Sequence, residues 1–131
     1  MTQREALLPV LRAALAKAPG VRVAILFGSV ARGDDTAESD VDVAVSGDVD
    51  PIALSAELAA ALGREVDVVG ADDATIPLLD QIVKDGIVVH ERRPGLGASW
   101  WWRALLVLET DRPWFAGARD AWLRHVARSG V

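Results

Sequence analysis

The chain has 131 residues, 51% of them apolar and 25% charged, with a formal net charge of −5 and no cysteine. That length suits one domain with a modest core, and the balance is that of a globular chain rather than a disordered one. The acidic charge disfavours a broad nucleic-acid-binding face, and the lack of cysteine removes disulfides and thiolate metal sites. No apolar run nears the ~20 residues of a membrane span. Arg4 and Glu5 ahead of an amphipathic stretch do not read as a signal peptide, so a cytoplasmic location is expected.

Thr2 followed by Glu5 fits a capping box, and Leu7, Leu8, Leu11, Ala14, Leu15 and Ala18 have helical spacing up to Pro19-Gly20. Val21 to Phe27 reads as a strand. Gly28 to Ser39 is polar and reads mostly as loop, with room for a helical turn after Ser29. Val41, Val43 and Val45 alternate with Asp40, Asp42 and Ala44, the period of a half-buried strand. Asp50-Pro51 opens a helix that Gly63 closes, and Glu65 to Val69 repeats the strand pattern. A helix over about Thr75–Asp85 stops at Gly86, and Ile87 to His90 reads as a fourth strand. After a turn at 92–97, two helical segments are expected, about Ser99–Leu108 and Trp114–Arg128, separated at Thr110–Pro113. Strands alternating with helices give an α/β sandwich with a small sheet.

The informative pattern is Gly28-Ser29, ten residues, then Asp40-Val41-Asp42. Glycine at a strand end lets backbone approach a ligand, and a serine there offers a hydroxyl and free N–H groups to a phosphate. Asp40 and Asp42 lie on one face, about 6.6–6.8 Å apart along the strand, and repel each other unless a cation sits between them. Magnesium, a hard ion that takes oxygen ligands and substrate phosphates, fits best. Antiparallel pairing of the first two strands would place the phosphate grip beside these carboxylates. The helical connection to the third strand suits a parallel crossover, which returns Glu65 and Asp67 to the same end of the sheet. Asp67 is preferred over Glu65 as the third carboxylate, because the shorter side chain suits metal geometry. Asp34, Asp35 and Glu38 read as a solvated loop, and His90 and His125 lack companions at metal spacing.

The stretch FGSVARGDDTAESDVDVAV (27–45) resembles the signature of the DNA-polymerase-beta-like nucleotidyltransferases. The spacer, the ARG after Ser29 and REVDVV (64–69) are similar to the minimal (MNT) branch. KDGIVVHE (84–91) and ETDRPWFAGARDAWLRHV (109–126) resemble the tail of MntA-type antitoxins, which silence HEPN ribonuclease toxins by moving AMP from ATP to a toxin tyrosine. The resemblance implies an α+β minimal nucleotidyltransferase fold, a mixed sheet flanked by helices with a helical tail. It implies one domain over 1–131, with a catalytic core at about 1–91 and a helical segment at about 98–128. Gly28, Ser29 and Arg32 would then bind ATP, with Gly33 shaping the loop. Asp40, Asp42 and Asp67 would be catalytic and hold Mg2+, Asp67 as ligand or as base. The implied partner is a HEPN-type toxin in a heteromeric complex, with no membrane and no direct nucleic-acid binding.

Two other functions compete. One is an antitoxin that blocks its toxin sterically with an idle site, although the clustered carboxylates speak against decay. The other is a small-molecule nucleotidyltransferase of the aminoglycoside type, which ordinarily carries a larger second domain for its acceptor. The five tryptophans all follow residue 99 and there is no tyrosine. Tryptophan usually belongs to a core, but three in a row at 100–102 cannot all face inward from one helix, so at least one is expected at the surface.

Overall fold

The computed structural model describes residues 3–34, 36 and 38–128, and within the last helix not the side chains at 112, 115 and 126–128. Among the described residues nine elements alternate: α1 (Gln3–Ala16), β1 (Val21–Phe27), α2 (Gly28–Arg32), β2 (Val41–Gly47), α3 (Pro51–Leu62), β3 (Val66–Gly70), α4 (Ile76–Asp85), β4 (Ile87–Glu91) and α5 (Leu96–Arg128). The caps follow their chemistry. Asp50 accepts hydrogen bonds from the backbone N–H groups of Ile52 and Ala53, and Thr75 accepts one from Leu78. Thr2 of the expected capping box, and Asp35, lie outside the described residues.

The four strands form one mixed sheet in the order β3-β2-β1-β4. β1 is antiparallel to both β2 and β4, while β2 and β3 are parallel. The parallel pair is joined through α3, as a crossover requires. Alternation along the strands then divides the core in two. Ala24, Leu26, Val41, Val43, Val66 and Val68 pack under α1 and α3. On the other face Val23, Ile25, Phe27 and Ala44 pack under α4 and α5, against Ile82, Trp100 and Leu108. This is the mixed, helix-flanked sheet the sequence led us to expect, including the antiparallel and parallel pairings.

The tail departs from expectation. It is one helix, Leu96–Arg128, that begins before Ser99 and runs through Pro113. Proline removes the bond to the carbonyl of Glu109 but does not end a helix whose flanking turns are favourable. Three residues earlier the Thr110 hydroxyl donates to the carbonyl of Leu106 at 2.8 Å, binding the chain back onto the preceding turn. Of the three consecutive tryptophans, Trp100 is buried, Trp101 is half-buried and stands edge-on to it at 6.1 Å, and Trp102 is 65% exposed. Trp114 and Trp122 are exposed as well, so most of the tryptophan lies at the surface. Among the described residues no helix is long and apolar enough to cross a membrane.

Candidate active site

The site begins where β1 runs into α2. Phe27 is the register partner of Asp42 in the antiparallel pair, so the next residue, Gly28, stands against the Asp42 side chain. Gly28 has φ +77°, and a Cβ there would overlap the Asp42 carboxylate. Two independent constraints therefore demand glycine: the left-handed backbone and the space the carboxylate occupies. Ser29 follows, half-buried, and its carbonyl accepts from the N–H groups of Gly33 and Asp34 at 3.0 and 3.1 Å. This closes α2 into a single tight turn.

The parallel pair supplies the carboxylates. Asp42 is the register partner of Asp67, and in a parallel pair such partners point to the same face. Asp40 lies two residues before Asp42 and shares that face. Just before the two strands begin, the N–H of Val41 donates to the carbonyl of Glu65 at 3.0 Å. Glu65 thus sits one step further out, beside Asp40 rather than beside Asp42. Asp42 is half-buried, whereas Asp40, Glu65 and Asp67 are exposed.

The charges report the same grouping. The Asp42 carboxyl is pushed above the ordinary carboxylate value, first by burial and then by the negative charges of Asp67 and Asp40. The positive charge of Arg32 acts in the opposite direction. Arg32 is not isolated: its Nη1 donates to Asp85 at 2.7 Å and its Nε to Asp34 at 3.2 Å. Gly28, Ser29, Arg32, Asp40, Asp42 and Asp67 thus lie at or next to one end of the strands, where β1 finishes and β2 and β3 begin. His90 lies half-buried in β4 and His125 exposed on α5.

Two supporting residues had not been singled out from the sequence. Arg64 donates to the carbonyls of Ser39 at 2.6 Å and Thr36 at 3.1 Å, tying down the chain just before Asp40. Asp85 is the last residue of α4 and holds Arg32. An acid at the negative end of a helix is electrostatically misplaced, and that was the available signal for Asp85.

A family profile described as "Polymerase beta, Nucleotidyltransferase" matches residues 10–94, from within α1 through β4, and so includes the whole sheet. The chain belongs to that family. The nucleotidyltransferase fold extends to α5 in solved structures. A toxin–antitoxin complex crystallised with AMP-PNP has a chain with TM-score 0.66 and 23% identity, covering 92% of this chain and 98% of that one. A variant toxin–antitoxin complex containing MntA gives TM-score 0.63 at 25% identity, over 93% and 99% of the two chains. A tri-AMPylated Shewanella oneidensis HEPN toxin in complex with MNT antitoxin gives TM-score 0.51 at 22% identity, over 88% and 95%. In sequence, a candidate protein adenylyltransferase of Methanocaldococcus jannaschii is 60% identical over 30 residues. That match spans 23% of this chain and 30% of the relative.

Such a nucleotidyltransferase implies a divalent metal, and the donor set bears on it directly. Among the described residues no group of three or more acidic, histidine or cysteine side chains is arranged to hold a metal ion. Magnesium does not need one, because it is usually held by one or two carboxylates together with waters and substrate phosphates. Asp42 and Asp67, paired in register with Asp40 nearby, are oxygen donors whose mutual repulsion a cation relieves. The residues present fit magnesium in that open form.

Proposed function

We propose that this nucleotidyltransferase is a cytoplasmic, magnesium-dependent protein adenylyltransferase. It moves AMP from ATP to a tyrosine hydroxyl of a HEPN-type ribonuclease toxin and thereby acts as its antitoxin. The observation that carries this reading is the meeting of Gly28, Asp42 and Asp67: a glycine that must stay bare stands against one of two carboxylates paired in register. Complexes of this fold with a HEPN toxin support the choice of partner.

Asp40 and Asp42 would hold magnesium, with Asp67 beside them, and the ion when bound supplies positive charge to the phosphate oxygens. The bare backbone at Gly28 lets the triphosphate approach β1, and the Ser29 hydroxyl donates to a phosphate oxygen. Arg32, at the end of the same short helix, adds a planar, charged donor. As the tyrosine oxygen forms its bond to the α-phosphorus, the bond to pyrophosphate breaks on the opposite side. In this reading the exposed Asp67 carboxylate takes the hydroxyl proton.

The experiment combines the purified chain, magnesium, ATP labelled on the α-phosphate and a purified HEPN-type toxin. The expected result is label on a tyrosine of the HEPN protein, located by peptide mass spectrometry. The chain has no tyrosine of its own, so tyrosine-linked AMP identifies the partner unambiguously. A tight complex that forms without any labelling would overturn the enzymatic reading in favour of steric inhibition.

A further inference from the structure

Arg32 closes α2 and has two acidic partners that are not equivalent. The Asp34 side chain is 62% exposed, whereas that of Asp85 is 9% exposed. An exposed pair is screened by water and holds nothing firmly. A carboxylate with little access to water needs a countercharge, and Arg32 provides it at 2.7 Å. Asp85 is disfavoured on a second count, since it ends α4, where the helix already carries partial negative charge.

The anchor is also rigid. A Cβ added to Gly86 would overlap the carbonyl of Ile82 and would stand 2.7 Å from Ile25 Cγ2 and 3.0 Å from Trp101 Cη2. The chain leaving α4 is thus clamped between β1 and α5, and Asp85 cannot follow Arg32 if Arg32 moves. At its other end α2 begins at Gly28, four residues before Arg32, where the backbone stands against the Asp42 carboxylate. A fixed, poorly hydrated acid therefore holds one edge of a guanidinium carried by the short helix that starts against the Asp42 carboxylate.

We propose that Asp85 is a positioning residue: by fixing the Nη1 edge of Arg32, it presents the remainder of the guanidinium to the triphosphate at the Gly28–Asp42 edge. This rests on the nucleotidyltransferase reading of that edge. Because the arginine fork is planar, its orientation matters as well as its charge. Asp85 acts only through Arg32.

The test is calorimetric titration of the full chain with MgATP, together with the KM for ATP and kcat of AMP transfer. Asp85→Asn should weaken MgATP binding and raise KM by roughly 10-fold while kcat changes much less, the pattern of a lost ground-state contact. Asp34→Asn should change neither. In an Arg32→Ala background Asp85→Asn should have no further effect, because non-additivity is the mark of two residues acting as one. A structural role alone would instead lower the melting temperature with KM intact. If Asp85→Asn fails to fold, Arg32→Lys keeps the charge, loses the fork and should weaken MgATP to a similar degree. Wild-type affinity in Asp85→Asn or in Arg32→Lys, or additive effects in the double variant, overturns the positioning role while leaving the proposed activity standing. A wild-type chain that does not bind MgATP overturns both.

Discussion

Asp42 of β2 and Asp67 of β3 are register partners in the parallel pair, so two like charges stand side by side on one face of the sheet with no residue between them. The arrangement works against the unliganded fold. The Asp42 carboxyl is held above its ordinary value by burial and by Asp67 and Asp40. When pH rises past the ordinary carboxylate range, the unfolded chain gives up this proton first, so stability from this group falls until the folded carboxyl ionises too. Without divalent metal, Asp42→Asn should therefore melt at a higher temperature than wild type at pH 7, with the gap closing as pH falls. Thermal melts in chelator across pH check this, and an unchanged or lower melting temperature at pH 7 would contradict it.

Magnesium should reverse the sign for the wild type only. Transfer is expected to need magnesium or manganese and to drop by more than roughly 100-fold in Asp40→Asn or Asp42→Asn, since even outer-sphere losses cost about 10–100-fold. Each change removes a charge and keeps the shape. Near wild-type labelling of the HEPN partner by either variant refutes the metal assignment.

Gly28 is constrained twice, by φ +77° and by the Asp42 carboxylate. Gly28→Ala should destabilise the fold by about 1–2 kcal/mol from the backbone alone, with more from displacing Asp42. It should abolish transfer as well. Urea unfolding gives the first number and the labelling assay the second. A variant of wild-type stability would mean that the loop has room the structure does not show.

Ser29 offers a hydroxyl at the start of α2. A hydrogen bond to a charged group contributes about 1.5–3 kcal/mol, so Ser29→Ala should slow transfer by roughly 10- to 150-fold. Unchanged kinetics would leave the grip on phosphate to the backbone.

The tryptophan run separates core from surface within three residues. Trp100→Ala removes a buried ring and should cost about 3–5 kcal/mol of stability. Trp102, 65% exposed, should be nearly silent in the fold. If α5 docks the acceptor protein, Trp102→Ala should weaken that complex by about 2 kcal/mol or more while MgATP binding stays intact. Calorimetry with the HEPN partner decides, and normal affinity confines α5 to a structural role.

The candidate site of this protein lies on local patterns, which is why its residues are legible in the sequence. Period-two alternation around Asp40 and Asp42 marked their shared face, and Asp50-Pro51 and Gly63 bounded the crossover helix that makes β2 and β3 parallel. Three-dimensional structure decided what depends on register and long-range contact. That Asp67 rather than Glu65 stands beside Asp42 follows from a one-to-one pairing across strands 25 residues apart in sequence. The Arg32–Asp85 contact spans 53 residues, and no periodicity encodes it. The tail shows the same limit from the other side. Pro113 looks like a break when read locally, yet the helix continues, because proline removes one backbone hydrogen bond while those of the neighbouring turns remain.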